Sequence, residues 1–75
     1  NLCVEVYHGI NADRQAVQTN LCYSGESNQK WILDGLLIKS ALPGTTRCMD
    51  RNSENQINLW TCNRSNTNQH FTHDL

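Results

Sequence analysis

Apolar and polar positions along the chain alternate in short runs. Val4 and Val6 alternate with Cys3 and Glu5, and Ile57 and Leu59 flank the polar Asn58 just ahead of Trp60. A period of two is the mark of a half-buried strand, because successive side chains point to opposite faces. No segment keeps a 3.6-residue apolar stripe, so no helix is predicted. The stretch "WILDGLLIK" (31–39) sets Asp34-Gly35 between two apolar runs, the strongest short hairpin signal. Pro43-Gly44 marks a turn before "TRCMD" (46–50), which reads as the next strand. The chain is therefore all-β, built from short strands and polar loops.

The pattern occurs twice. "AVQTNLCYSGESNQKW" (16–31) aligns with "QINLWTCNRSNTNQHF" (56–71). Val17 matches Ile57, Gln18 matches Asn58, Cys22 matches Cys62, Asn28-Gln29 matches Asn68-Gln69, and Trp31 matches Phe71, each pair 40 residues apart. "CVE" (3–5) matches "CMD" (48–50) at a spacing of 45, so the first copy carries five extra residues between its cysteines, around "YHGINADR". Six pairs in register with matched cysteines identify one structural unit used twice. The single domain 1–75 thus divides into repeat 1, about 1–34, and repeat 2, about 35–75. Units this short cannot bury their faces alone and must pack on each other.

Composition narrows the possibilities. At 75 residues the chain is one small domain, and a chain of this size buries only about 60% of its unfolded surface. With a hydrophobic fraction of 37% and a mean hydropathy of −0.63, such a core needs staples or a shared surface. The net charge is −1 with 6 Lys and Arg, which gives no basic patch for nucleic acid or an anionic membrane. No apolar run approaches 18 residues, so nothing is expected to insert in a membrane. Four cysteines, an even number in a short chain, favour disulfides and an oxidising, extracellular setting. They allow three pairings, among which spacing does not choose. Asn63-Arg64-Ser65 is a possible N-glycosylation sequon, consistent with a secreted chain.

Taken together, Cys-x-Asp, Leu-Trp-x-Cys and Asn-Gln-x-aromatic resemble the ricin B-type lectin repeat of the β-trefoil. The Gln-x-Trp signature stands as Gln29-Lys30-Trp31 and, in variant form, as Gln69-His70-Phe71. The resemblance covers essentially the whole chain. It implies that each repeat closes its own loop, as Cys3–Cys22 and Cys48–Cys62, and each such bridge stabilises by about 3 kcal/mol. It also implies non-covalent binding of galactose or N-acetylgalactosamine-type glycans. A carboxylate can accept from two sugar hydroxyls through strong charge-assisted bonds, an aromatic can cover the apolar face of the ring, and an amide can donate and accept. In repeat 2 the family positions are filled by Asp50 as carboxylate, Trp60 as stacking aromatic, Asn68 as amide and Asn58 as second polar contact, with Gln69 holding the carboxylate and loop. In repeat 1, Glu5, Gln18, Asn28 and Gln29 stand at the same places, but Asn20 replaces the stacking aromatic. Repeat 1 is accordingly expected to be the weaker site, with Tyr7 or His8 as candidate replacements for the lost platform. Trp31 and Phe71 are expected in the core.

Other chemistries fit less well. "DRNSE" from Asp50 begins like a calcium loop, but Asn55 stands where a Gly is needed and Thr61 where a Glu is needed. His70 and His73 lack a third ligand nearby, so no metal is expected. No nucleophile–base pair and no placed pair of carboxylates point to catalysis, so the chain is read as a binding protein without a cofactor. Two alternatives share the fold: a structural or targeting module of a larger toxin or glycoside hydrolase, and a protein-binding trefoil such as a protease inhibitor. A trefoil has three repeats and this chain has two, so the gap is expected to be filled by self-association or by a partner chain. Linking shallow sites, each binding at about millimolar Kd, would also raise avidity by about 10²–10⁴.

Overall fold

The computed structural model describes residues 1–72 of the chain. Six strands follow one another: β1 (Leu2–Val6), β2 (Val17–Leu21), β3 (Trp31–Asp34), β4 (Leu37–Ser40), β5 (Arg47–Arg51) and β6 (Ile57–Thr61). β1 and β2 form an antiparallel pair, and β3 to β6 form a four-stranded antiparallel sheet in sequence order. Single 3₁₀ turns at Tyr7–Gly9, Ser27–Gln29 and Thr67–Gln69 are the only helical segments among the described residues. The β3–β4 hairpin forms where the sequence places it, one residue further on. Asp34 is still paired, with Leu37, and the two-residue loop is Gly35-Leu36. Gly35 takes the positive φ, 60°, required at the first loop position of such a turn.

The strand registers reproduce the internal repeat. In β1–β2, Glu5 lies opposite Gln18 and Cys3 opposite Asn20; in β5–β6, Asp50 lies opposite Asn58 and Cys48 opposite Trp60. Opposite residues share a face, so each acid and its cross-strand amide look the same way while Val6 and Leu59 turn to the other side. Both disulfides form within their own repeat, Cys3–Cys22 and Cys48–Cys62.

The core is small. Val6, Leu42 and Leu59 are buried together, with Val17 and Trp31 packed against them. The Trp31 indole also donates to the carbonyl of Val4 at 3.0 Å, which ties β3 to the first hairpin. Phe71, half-buried, is anchored by its backbone N–H to the carbonyl of Leu36 at 2.8 Å. Leu2, Leu21, Ile32, Leu33 and Leu36 remain exposed.

The extra residues of repeat 1 link the two units. Arg14 donates its backbone N–H to Leu59 O and Leu59 donates to Gln15 O, both at 2.8 Å, and Ala16 bridges to Asn58. The segment thus lies along the edge of β6 left open by β5. Asp13 accepts from the Thr61 N–H at 2.8 Å, from the Thr61 hydroxyl at 3.1 Å and from Arg47 Nε at 2.9 Å. Asn11 Oδ1 accepts from Thr45 Oγ1 and from Arg47 Nη1, each at 2.9 Å. Insertion and repeat 2 are joined as one body.

Candidate functional site

Each repeat builds one acid around one glutamine. In repeat 1, Gln29 Nε2 donates to Glu5 Oε1 at 3.0 Å and to Leu21 O at 2.7 Å, while its Oε1 accepts from the Tyr23 N–H at 2.8 Å. In repeat 2, Gln69 Nε2 donates to Asp50 Oδ2 and to Thr61 O, both at 3.0 Å, and its Oε1 accepts from the Asn63 N–H at 2.8 Å. The 3₁₀ turns at 27–29 and 67–69 deliver both glutamines, so the Asn-Gln motif acts through a short turn that presents the amide to the acid. Gln29 and Gln69 are therefore brought to the acids as the sequence suggests.

The acids differ in what else holds them. Glu5 Oε2 accepts from Gln18 Nε2 at 2.9 Å and from Asn20 Nδ2 at 3.1 Å, so three amides engage the carboxylate. The bond from Gln18 and then that from Gln29 hold the Glu5 carboxyl below the usual range, against the opposing effect of burial, with Asn20 and the charge of His8 adding smaller contributions. Asn20, in the position of the absent aromatic, has become a carboxylate donor. Asp50 is buried, and its Oδ2 also accepts from Asn66 Nδ2 at 3.3 Å. Asp50 Oδ1 has no hydrogen-bond partner among the described residues.

The structure brings Asp50, Asn58 and Trp60 onto one face, and Asn68 stands on the 3₁₀ turn whose next residue, Gln69, bonds Asp50. Asn68 is exposed, and its backbone N–H bonds to Asn66 Oδ1 at 3.0 Å. Asn66, two residues earlier, is the amide that reaches the acid. The sequence carried one signal for it: an Asn directly before a short turn accepts the backbone N–H two residues on, which fixes its side chain. Above Trp60 lies Arg14 from the insertion, its guanidinium carbon 5.5 Å from the ring centroid. That contact needs the insertion to be docked, and no pattern in the sequence announces it.

Repeat 1 carries the larger opening. An open cleft of about 470 Å³ is lined by Glu5, Gln18, Asn20 and Asn28 together with Tyr7, His8, Tyr23 and Glu26. Tyr7 and His8 meet edge to face with ring centroids 3.9 Å apart. His8 and Gly9 both take left-handed backbone conformations, φ 56° and 64°, which turns the chain sharply there. Gly9 packs beside Asn28: a Cβ there would meet the Asn28 Cβ at an ordinary contact distance of 3.5 Å, so it is the positive φ that favours glycine. Asn28 donates weakly to Val6 O at 3.4 Å, and its buried Oδ1 has no partner. Tyr23 and Glu26 were not foreseen, because neither belongs to the repeated motif.

Among the described residues, no group of three or more His, Cys, Asp and Glu side chains could hold a metal ion. His70 Nε2 sits 2.7 Å from Arg64 O, and His73 lies outside the described residues. Asn63 is exposed, with its Oδ1 accepting from the Ser65 N–H at 3.0 Å. No helix among the described residues is long and apolar enough to cross a membrane.

An all-β chain of two in-register disulfide-closed repeats, each presenting a glutamine-held acid, is a partial β-trefoil of the lectin class. Residues 1–74 match the family model of the ricin-type beta-trefoil lectin domain, and the chain belongs to that family. No curated protein and no solved structure matched it. Membership implies glycan binding in general, and the two disulfides fit an extracellular protein.

Proposed function

We propose that the chain is a secreted lectin that binds galactose-type glycans without catalysis, with its principal site in the repeat 1 cleft. The observation that carries this reading is the cleft of about 470 Å³ in which the Glu5 carboxylate, the Asn28 amide and the rings of Tyr7 and Tyr23 converge. The Gln18, Gln29 and Asn20 bonds fix Glu5 before ligand arrives, so less ordering is left to binding. Tyr7 or Tyr23 supplies the apolar face that Asn20 cannot. The galactose preference comes from the family and not from a contact in this cleft. The sequence alone puts the main site in repeat 2; the geometry shifts the weight to repeat 1. Repeat 2 stands as the second site, supported by the free Oδ1 of Asp50 on the face it shares with Asn58 and Trp60.

Titration of the ¹⁵N-labelled chain with galactose, N-acetylgalactosamine and mannose tests this. Saturable shifts of the Gly9, Tyr23 and Asn28 amides with galactose, absent in Glu5→Gln, are the expected result. Shifts that persist in Glu5→Gln and vanish in Asp50→Asn would return the principal site to repeat 2. No shift with any sugar at tens of millimolar would refute the lectin reading.

The exposed apolar residues support self-association, here proposed as the means by which the open fold is completed. A light-scattering mass equal to one 8.6 kDa chain would refute it.

A further inference from the structure

A second cleft, of about 290 Å³, runs between the insertion and the β5–β6 hairpin. Its polar lining is Arg14, Asn52, Gln56 and Asn58, and its apolar flanks include Val17 and Ile57. No carboxylate lines it. Asp50, opposite Asn58 in register, is buried and does not line the cleft; Gln69 and Asn66 engage its Oδ2 and leave its Oδ1 free. Arg14 makes no ion pair among the described residues. The Asn58 side-chain amide and Gln56 Nε2 have no hydrogen-bond partner there either. Asn52 Oδ1 is used by the Glu54 and Gln56 backbone N–H groups at 2.9 and 3.0 Å, which orders the hairpin tip.

We infer that this cleft is an acidic-sugar site, in which the Arg14 guanidinium receives the carboxylate of a uronic-acid residue while the Asn58 and Gln56 amides bind its hydroxyls. A guanidinium offers parallel N–H groups that match a carboxylate fork to fork, and unpaired amides complete a donor-rich lining. Trp60, beneath the guanidinium, orients it through its ring face, and the apolar wall of the cleft is supplied by Ala16, Val17 and Ile57. The Arg14 backbone, at φ 72° in a left-handed conformation, is pinned by its N–H bond to Leu59 O, so the docked insertion fixes the point from which the side chain reaches over Trp60. The repeat 1 cleft has the opposite character, with Glu5 and Glu26 in its lining, and repels the same ligand. The two clefts thus select sugars of different charge. This inference does not rest on the repeat 1 reading, whose residues are separate; it shares Asn58 and Trp60 with the proposed repeat 2 site, from which the Arg14 variants distinguish it.

The test is NMR titration of the full-length chain with galacturonate, galactose and acetate at equal ionic strength. Galacturonate is expected to shift the Trp60 indole N–H and the Asn58 side-chain amide, and to bind at least about tenfold more tightly than acetate. Arg14→Gln is expected to abolish these shifts and Arg14→Lys to weaken them several-fold. Unchanged Leu59 and Thr61 amide shifts in both variants will confirm that the insertion stays docked. Glu5→Gln, which tests the repeat 1 reading, should leave galacturonate binding intact. Acetate binding as tightly as galacturonate, galacturonate binding retained in Arg14→Gln, shifts confined to the Glu5 cleft, or no shift at tens of millimolar would each overturn the inference.

Discussion

Truncating Gln69 to alanine isolates the energetic contribution of the repeat's central polar clamp. The side chain is fully buried and makes three hydrogen bonds, to Asp50 Oδ2, to Thr61 O and from the Asn63 N–H. Its loss strands one backbone acceptor and one backbone donor and removes one of two donors to a buried carboxylate oxygen. A stranded buried polar group costs about 1–3 kcal/mol, and more beside a charge. Thr61 and Asn63 are exposed residues, so water recovers part of the backbone loss. The net expectation for Gln69→Ala is about 3 kcal/mol, a large share of the roughly 5–15 kcal/mol that holds a small domain together. The transition temperature should fall by about 12–24 °C, since each kcal/mol is worth about 4–8 °C at this size. Urea denaturation of the oxidised protein gives the comparison directly. Gln29→Ala removes the same three contacts from a half-buried position that water can enter, and should lose clearly less. A Gln69→Ala loss below about 1 kcal/mol, or a loss equal to that of Gln29→Ala, would refute the argument that burial makes the clamp strong.

Four further outcomes are expected. Burial raises the Asp13 carboxyl, but the bonds from Arg47 and then Thr61 outweigh it and leave it below the usual range, as Glu5 is lowered by Gln18 and Gln29. Because both folded values are depressed, the stability they contribute is present above the ordinary carboxylate range of about 3.9–4.3 and is lost as pH falls through the lowered values; Glu5→Gln with Asp13→Asn should flatten that acid limb in a thermal-shift series. Cys22 is exposed and Cys48 fully buried, so limited reductant followed by alkylation and peptide mapping should open Cys3–Cys22 before Cys48–Cys62. Asp13→Ala should raise amide hydrogen exchange at Arg14, Leu59 and Thr61 while sparing β3 and β4, because Asp13 ties the insertion to Thr61 and Arg47. Expression in a glycosylating host should add a glycan at exposed Asn63, read as a mass increment lost on enzymatic deglycosylation and absent in Ser65→Ala.

What the sequence reveals is what lies within one repeat. The alternation at Val4–Val6 and Ile57–Leu59, the matched cysteines and the Asn-Gln turns act over short separations, and each forms as the pattern indicates. Gln29 and Gln69 land on their acids because the turn and the strand pair fix both ends of the contact. The hairpin loop falls one residue late because Gly35 supplies its positive φ as the first loop residue, not the second. Asn66, which the motif does not single out, reaches Asp50 because an Asn before a turn folds its side chain over the following N–H groups. Arg14 over Trp60, and Tyr23 and Glu26 in the repeat 1 cleft, were out of reach for a different reason. Their positions depend on how an insertion docks and how a loop folds back, and no period in the sequence encodes either.

The insertion also governs how fast the molecule can assemble. Each hairpin closes through short separations, as in the 14-residue span of Cys48–Cys62. The bond from Thr61 to Asp13 joins residues 48 apart. Ring closure over such a distance loses chain entropy that grows with the logarithm of its length, and contacts of long range slow folding. The hairpins therefore form early and the docking of residues 11–16 on β6 comes late. Asp13→Ala should then leave the refolding rate nearly unchanged and accelerate unfolding, the signature of a contact made after the rate-limiting barrier.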